Sequence, residues 1–270
     1  MIADKASCPS IRVISESSGY PMNRTLIWID ASDPLPSTDC ALTAAEGANG
    51  LLAAGSDLSA QRLEEAYSRG IFPWFSRGEP VLWWTPAPRM VLMLDEFKIS
   101  KSFRKTISKA LETPDLTISS NHDFTGVMQA CAAPRNGKPG TWISPPMIGA
   151  YADLHGRGLA HSVEVRREGS LIGGLYCVSL GRMVFGESMF SHTPNASKLA
   201  LATLVTWMQS HDARVIDCQQ HTGHLASLGG REIDRPAFES LIAQLTQQPA
   251  LPWQASPPTK EDLSKAIDHG

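Results

Sequence analysis

The order of apolar and polar positions along the chain predicts alternating strands and helices. Runs in which every second residue is apolar are typical of half-buried strands, whereas apolar residues three or four apart line one face of a helix. The predicted strands cover residues 90–94, 115–119, 161–165, 171–180, 183–190 and 214–219, and the predicted helices cover 59–70, 101–112, 123–131, 145–156, 195–210 and a last one opened by Pro236.

Short turns at Glu168-Gly169 and Gly181-Arg182 separate the three strands between residues 161 and 190. Turns of this length join neighbouring antiparallel strands, so this region predicts a meander. With helices on its flank and no internal repeat, the whole pattern predicts a mixed α/β (α+β) fold whose central sheet is mostly antiparallel.

The helix predicted at 101–112 has one basic face. At about 100° per residue, Phe103 and Ile107 fall on the arc opposite the basic residues, and Ser100 is placed to cap the helix. A one-sided charged face is usually just solvated, but on an acidic protein it is also a candidate for phosphate contact. The basic residues are Lys101, Arg104, Lys105 and Lys109.

Prolines predict the domain boundary. The stretch Pro86-Ala-Pro88 predicts an extended, stiff connector, because proline fixes its own φ and disfavours helix in the residue before it. We expect a small N-terminal domain over residues 1–87, loosely ordered at 1–23, then a larger domain over 88–250 and a tail over 251–270.

Composition narrows the class of protein. The chain has 270 residues, of which 42% are hydrophobic and 19% are charged, a profile that excludes a disordered chain. A net charge of −3 means that a nucleic acid would have to be bound by a local patch. Five scattered cysteines without a C-x-x-C pair favour a reducing compartment. No signal peptide or membrane span is predicted, so a soluble cytoplasmic protein is expected.

The strand at 214–219 carries candidate chemistry. Alternation puts Asp217 and Gln219 on one face and Ile216 and Cys218 on the other. A carboxylate among apolar neighbours is costly unless it is paired, which favours a functional interpretation of Asp217. For Glu187, spacing alone leaves a second interpretation open beside a functional one, a solvated cross-strand partner of an arginine.

Three other patterns have plain structural interpretations. The Gly-Glu-Ser sequence at 186–188 lacks the second glycine and the following helix of a nucleophile elbow, so Ser188 is expected to be structural. Cys218, His221 and His224 have ligand-like spacing but no evident fourth ligand, so no metal is expected. Four tryptophans suit either core packing or a pocket wall that stacks a base. They are Trp74, Trp83, Trp84 and Trp142.

Seven motifs identify a resemblance that covers roughly residues 50–241. They are Gly70-Ile-Phe-Pro-Trp-Phe75, Leu82-Trp-Trp-Thr-Pro-Ala-Pro-Arg89, Gly140-Thr-Trp-Ile143, His161-Ser-Val-Glu-Val165, Phe185-Gly-Glu-Ser-Met-Phe-Ser191, Asn195-Ala-Ser-Lys198 and Ile216-Asp-Cys-Gln219. In this order they closely resemble the leucyl/phenylalanyl-tRNA-protein transferases of bacteria. The resemblance implies a small N-terminal domain packed on a C-terminal domain similar to N-acetyltransferases.

The resemblance also implies the activity and the partners. Members of the family move Leu or Phe, and Met less well, from aminoacyl-tRNA onto proteins that begin with Lys or Arg, which marks those proteins for degradation. We therefore expect an aminoacyltransferase that needs no cofactor and no metal, binds no membrane and acts as a monomer.

Roles for individual residues follow from the same resemblance. Asp217 and Gln219 resemble the catalytic pair, and Glu187 resembles the acidic residue near the acceptor's amine or basic side chain. Trp74 and Trp142 resemble the aromatic residues that shape the site for the 3′ adenosine. The apolar aminoacyl pocket would consist of Leu175, Met189, Leu201 and Leu204, the last standing where a Phe is expected.

The chemistry needs little from the protein, because an aminoacyl ester is already activated. Attack by an α-amine requires proximity, a place for the ammonium's proton and donors for the developing oxyanion. Our hypothesis is that Asp217 orients Gln219 and that the Gln219 carbonyl draws on the incoming amine. Asp217, water and the departing ribose oxygen are all candidates for taking the final proton.

Two rival functions are open. An acyl-coenzyme A N-acetyltransferase would need a pyrophosphate loop of the form R/Q-x-x-G-x-G, and the nearest string, from Asp153 to Gly158, begins with Asp at a helix end. A non-catalytic RNA-binding adaptor would use the basic helix and the tryptophans, but it leaves Asp217 and Gln219 without a role.

Overall fold

A computed structural model describes residues 26–134 and 141–268. The expectation of loose order at residues 1–23 falls outside the described residues. The strands are β1 (Ile27–Ile29), β2 (Leu51–Gly55), β3 (Phe72–Pro73), β4 (Val81–Trp84), β5 (Arg89–Met93), β6 (Leu116–Ser120), β7 (Ala160–Arg167), β8 (Ser170–Leu180), β9 (Met183–Ser191), β10 (Val215–Gln219) and β11 (Arg231–Ile233). The helices are α1 (Ala60–Ser68), α2 (Lys101–Glu112), α3 (Phe124–Ala132), α4 (Pro145–Gly156), α5 (Ala196–Ser210), α6 (Gly223–Ser227), α7 (Arg235–Leu245) and α8 (Lys260–Asp268).

These strands form two sheets. The smaller has four strands in the order β1-β2-β4-β3, and the larger has seven in the order β11-β5-β10-β9-β8-β7-β6. In the larger sheet every neighbouring pair is antiparallel except β9 and β10, which are parallel. The predicted mixed α/β fold with a mostly antiparallel central sheet is confirmed, and so is the β7-β8-β9 meander.

The parallel pair positions the site, because β9 and β10 separate soon after they meet. Only Val184 and Phe185 of β9 pair with Ile216 and Asp217 of β10. Beyond this point β9 stays paired with β8, whereas the pairing of β10 with β5 shifts at Gln219, whose φ is +63°. The two strands therefore leave an opening in the middle of the sheet.

Local signals explain the helices that the sequence predicts well. The Ser59 hydroxyl accepts a hydrogen bond from the Arg62 N–H, and the Ser100 hydroxyl accepts one from the Phe103 N–H, so both serines cap as expected. Pro145 begins α4, where its missing N–H costs nothing. The strands of the smaller sheet escaped prediction because β2 and β4 are buried at every position and show no alternation.

The prediction of a tail over 251–270 is wrong for its described part. Leu251 and Trp253 are buried, and α8 packs on α2 and α5 with Leu263 fully buried. The Lys260 ammonium also donates to the Thr113 carbonyl. The prolines near the start of this segment favoured the prediction of a tail, although a short amphipathic helix follows them. The apolar face of this helix is buried only by contact with parts of the chain that are distant in sequence.

Two further observations concern the expected compartment. In the described part of the chain, no helix is long and apolar enough to cross a membrane. Cys131, Cys177 and Cys218 are free thiols, whereas Cys40 is disulfide-bonded.

Candidate active site

A cavity of about 500 Å³ lies where β9 and β10 separate. Residues 186–189 of β9 and Ile216, Cys218 and Gln219 of β10 line it. Other lining residues come from α5, from β8 and from the segment around β3. Diverging strands thus produce a concave site in the sheet itself, with one apolar wall and one polar wall.

The apolar wall contains all four residues predicted for an aminoacyl pocket. Leu175 comes from β8, Met189 from β9, and Leu201 and Leu204 from consecutive turns of α5. The three leucines are buried, while Met189 is partly exposed at the cavity. Such a surface favours an apolar guest, because the hydrophobic effect rewards the removal of apolar area from water.

The tryptophans separate into two groups. Trp74 and Trp142 line the cavity, and Trp74 is 38% exposed. Trp83 and Trp84 are buried in the core of the smaller sheet. The Trp84 indole N–H donates to the Trp74 carbonyl at 2.7 Å, and the two rings pack edge to face at 5.4 Å. Core packing by Trp84 therefore holds Trp74 at the edge of the cavity.

The polar wall is built around Glu187. Its Oε1 accepts hydrogen bonds from the Tyr67 hydroxyl at 2.6 Å and from the Gln219 side-chain amide at 2.8 Å. Its Oε2 accepts from the Tyr151 hydroxyl at 3.2 Å, and the two tyrosine hydroxyls are hydrogen-bonded to each other. Four elements, α1, α4, β9 and β10, thus converge on one carboxylate.

Burial perturbs the acidity of this cluster. Desolvation, reinforced by the charge of Asp217, raises the pKa of Glu187 to about 8, although hydrogen bonds from the tyrosines and the charge of Arg89 oppose the rise. Desolvation and the nearby Glu187 also raise the pKa of Tyr67 and Tyr151 well above the ordinary value. Both phenols therefore stay protonated, while Glu187 changes its charge close to neutral pH.

Asp217 lies behind this wall and does not reach the cavity. Its carboxylate is fully buried and accepts two hydrogen bonds from the Arg89 guanidinium, from Nε to Oδ1 at 2.9 Å and from Nη2 to Oδ2 at 2.7 Å. Its Oδ1 also accepts the Gln219 backbone N–H at 2.8 Å. The expectation that Asp217 projects into the cleft with Gln219 is wrong, because a carboxylate among apolar neighbours is stable only when paired.

Arg89 is itself held between two aromatic rings. Its guanidinium carbon lies 4.8 Å from the centroid of Phe72 and 4.5 Å from that of Phe238. Phe72 also lines the cavity. The ion pair thus links the small sheet, α7 and the end of β10 directly behind Gln219.

The predicted basic face exists on α2 but lies away from the cavity, to which α2 contributes no lining residue. Lys101, Lys105 and Lys109 are exposed. Arg104 is partly buried and donates to the Ile267 carbonyl at 2.6 Å, so it helps to hold α8. Of the four basic residues, the three lysines therefore have side-chain charges that a binding partner could contact.

Ser188 and two of the three residues with metal-ligand-like spacing also lie at the cavity. Ser188, Cys218 and His224 line it, whereas His221 is exposed outside it. Within residues 26–134 and 141–268, no group of three His, Cys, Asp or Glu side chains could hold a metal ion.

Sequence reasoning missed Arg89, Tyr67 and Tyr151. One signal for Arg89 was available: a charged residue opens the apolar run from Met90 to Met93, where a buried cation needs a buried anion. Tyr67 and Tyr151 showed only as apolar positions of their helices. Their hydroxyl contacts depend on how α1 and α4 pack.

Comparisons with known proteins identify the family of this chain. The model of the family "Leucyl/phenylalanyl-tRNA protein transferase" matches residues 91–243, and that of its N-terminal domain matches residues 56–87. A leucyl/phenylalanyl-tRNA–protein transferase of Burkholderia pseudomallei (strain 1106a) is 54% identical over 228 residues, which are 84% of this chain and 89% of the relative. The protein of the same name from Burkholderia cenocepacia is also 54% identical over 84% of this chain and 90% of its own.

The chain also resembles a solved structure, a crystal structure of FemX, with 13% identity and a TM-score of 0.40 over 82% of this chain and 84% of that one. The sequence matches are far stronger, since the relatives are 54% identical over 84% of this chain. On that basis the chain belongs to the leucyl/phenylalanyl-tRNA protein transferase family of aminoacyltransferases.

Proposed function

We propose that this enzyme moves Leu or Phe, and Met less well, from its tRNA to the α-amine of proteins that begin with Lys or Arg, which marks those proteins for degradation. The observation that carries the proposal is the cavity, in which an apolar wall faces a carboxylate and an amide. An aminoacyl side chain fits the first wall and a cationic amine fits the second. Such a reaction takes place in the cytoplasm, where aminoacyl-tRNA is used.

The apolar wall supports selection of a large apolar aminoacyl group. Each methylene buried in a hydrophobic pocket is worth about 1 to 3 kcal/mol of discrimination, so a deep wall disfavours small side chains. Met189 is the flexible member and can adapt to a branched or an aromatic guest. Leu175, Leu201 and Leu204 form the fixed part of the pocket.

The aromatic edge supports a role in holding the 3′ adenosine. Trp74 presents an exposed ring at the cavity, and Trp142 lies on the same lining. Stacking of a base on an aromatic ring contributes about 1 to 3 kcal/mol. Further from the cavity, Lys101, Lys105 and Lys109 offer charges for the tRNA backbone.

The mechanism assigns distinct parts to Gln219 and Asp217. The acceptor nitrogen attacks the ester carbonyl carbon, the new C–N bond forms, and the bond to the ribose oxygen breaks. The Gln219 side-chain amide donates to Glu187, and no hydrogen bond to its carbonyl oxygen is formed within the described residues, so that oxygen can accept a hydrogen bond from the incoming amine and orient it. Asp217 positions Gln219 through its backbone N–H and does not touch the substrate.

The rival functions have less support. The string from Asp153 to Gly158 lies at the end of α4 and does not line the cavity, so it offers no place for a coenzyme there. A non-catalytic RNA-binding adaptor would leave Glu187 and Gln219 without a function.

One assay separates the three functions. Purified protein is mixed with radiolabelled Leu-tRNA and a peptide that begins with Arg, with acetyl-coenzyme A as a competing donor. We expect label on the peptide α-amine. Acetylation of the peptide, or RNA binding without transfer, would refute the proposal.

The same assay tests the part played by Asp217. Asp217→Asn keeps an acceptor for the Gln219 N–H, and we expect about 100-fold slower transfer, as for a misplaced reacting group, with Leu-tRNA binding retained. Glu232→Gln, on the exposed face of β11, is the matched control and should transfer at the normal rate. A normal rate for Asp217→Asn would remove Asp217 from the mechanism.

A further inference from the structure

We propose that the Glu187 carboxylate, supported by Tyr67, Tyr151 and Gln219, takes the proton that the acceptor's α-ammonium loses before it attacks the ester. The inference rests on the proposed function and deepens it. It gives Glu187 a chemical step in addition to attraction of a cation, and it makes the two tyrosines positioning residues.

The position of Glu187 favours it over the other candidates. Among the described residues, it is the only carboxylate that lines the cavity. Asp217 is fully buried, and both of its oxygens are bonded by Arg89. The other titratable residues that line the cavity are Tyr176, His224 of α6, Cys177 and Cys218. Burial raises the pKa of both cysteine thiols, so these two stay protonated.

Hydrogen-bond capacity on Glu187 remains at one oxygen. A carboxylate oxygen accepts about two hydrogen bonds, and Oε1 already accepts from Tyr67 and Gln219. Oε2 has one donor, the Tyr151 hydroxyl at 3.2 Å. An ammonium N–H can therefore bond to Oε2.

The tyrosines allow the carboxyl group to hold a proton as well as to lose it. Three contacts join Glu187, Tyr67 and Tyr151 in a ring, but two phenols supply only two hydrogens. When Glu187 is ionised, one contact of the ring has no hydrogen. A proton on Oε2 fills it, because Glu187 then donates to Tyr151, Tyr151 to Tyr67, and Tyr67 to Oε1.

The charges around the ring keep this proton exchangeable near neutral pH. Burial and the Asp217 carboxylate favour the protonated acid, whereas the Tyr67 and Tyr151 hydroxyls and the Arg89 guanidinium favour the carboxylate. The balance places the pKa of Glu187 at about 8, close to that of an α-amine. Transfer between the two groups is then nearly even in energy, which suits a general base.

The step balances without another reactant. One ammonium proton passes to Oε2 of Glu187, and the neutral nitrogen attacks the ester carbonyl carbon. The C–N bond forms, the bond from carbon to the ribose oxygen breaks, and a second amine proton ends on that oxygen. Glu187 then releases its proton to solvent through the cavity.

The test compares acceptors that do and do not carry the proton. Single-turnover transfer from Leu-tRNA is measured with an Arg-peptide and with hydroxylamine, a nucleophile that is already unprotonated at neutral pH, after subtraction of the uncatalysed rate. We expect Glu187→Gln to slow transfer to the peptide about 100-fold, as for loss of a general base, with far less effect on hydroxylamine. Equal losses with both acceptors would overturn the inference.

A second variant addresses the tyrosine ring. Tyr67→Phe removes a donor that stabilises the carboxylate, so the rising limb of the pH–rate profile with the peptide should move to higher pH. The amine's own pKa is the same in both proteins and cannot cause this shift. A limb that stays in place would overturn the inference, since a merely structural Tyr67 would change the rate and not the profile.

Failure of the proposed function would look different. In that case wild-type protein would transfer nothing to the Arg-peptide at any pH, and both proposals would be overturned together. Glu232→Gln serves as the control, and thermal unfolding of each variant verifies that it is folded.

Discussion

The buried pair of Arg89 and Asp217 makes the strongest stability prediction. Replacement of Arg89 by Met keeps an unbranched apolar stem but leaves a carboxylate without its cation at a fully buried position. Removal of one partner of such a pair costs about 3 to 5 kcal/mol, because an uncompensated charge stays in a low-dielectric interior. Loss of the two ring contacts with Phe72 and Phe238 adds about 0.5 to 2 kcal/mol.

The chain provides a control of the same kind, an arginine bonded to both oxygens of a carboxylate, in a different environment. Arg231 binds both oxygens of Glu96 at 3.0 and 2.8 Å, yet both side chains are exposed. Exposed ion pairs contribute about 0 to 1 kcal/mol, because water competes for both charges. Arg231→Met should therefore lower the free energy of unfolding by less than about 1 kcal/mol.

Urea denaturation followed by tryptophan fluorescence measures these differences. The double variant Arg89→Met/Asp217→Asn should be more stable than Arg89→Met alone, because it removes both charges and retains an acceptor for the Gln219 N–H. If Arg89→Met cost no more than Arg231→Met, or if the two changes were additive, the assignment of a buried, coupled pair would be refuted.

Three further predictions concern the pocket, the basic helix and pH. Met189→Ala should slow transfer of Leu about tenfold or more by removing methylenes from the pocket wall, while Leu-tRNA affinity at high salt changes little; equal losses would indicate a core role. Replacement of Lys101, Lys105 and Lys109 by Glu should weaken the salt dependence of tRNA binding. In filter-binding assays, the slope of log affinity against log salt concentration should fall by about 0.9 for each lysine that contacts a phosphate. An unchanged slope would mean that the tRNA binds elsewhere. Burial lowers the pKa of His161 from 6.5 to about 3, so below pH 6.5 the unfolded chain binds a proton that the folded protein does not, and stability falls as the pH drops. The urea midpoint of His161→Phe should therefore depend less on pH between pH 7 and 4 than that of the wild-type protein. An unchanged dependence of the midpoint on pH would contradict this prediction.

Local pattern accounts for most elements of the larger sheet. The meander and α2, α4 and α5 follow from alternation, helical spacing and caps that act within a few residues. The strands of the smaller sheet and α8 do not follow in this way. The apolar residues of these elements are buried by other parts of the chain and not by their own neighbours in sequence. Leu263 of α8, for example, is buried where α8 packs on α2 and α5.

The candidate site does not follow from local pattern in this way. The four apolar pocket residues and Gln219 line the cavity, but it was the family resemblance and not local pattern that indicated a common site for them. Asp217 does not reach the cavity, since its direction depends on Arg89, which is 128 residues away in the chain. The geometric roles of Tyr67 and Tyr151 likewise depend on α1 and α4 meeting at Glu187.

By itself, the sequence determined the class of fold, the order of most elements and the residue types available for chemistry, because these depend on spacing along the chain. Only the tertiary structure decided which polar groups share a cavity and which neutralise each other out of reach of solvent. The physical reason is that ionisation and hydrogen bonding depend on distance and burial in space. A carboxylate such as Glu187 or Asp217 acquires its role from neighbours supplied by other elements.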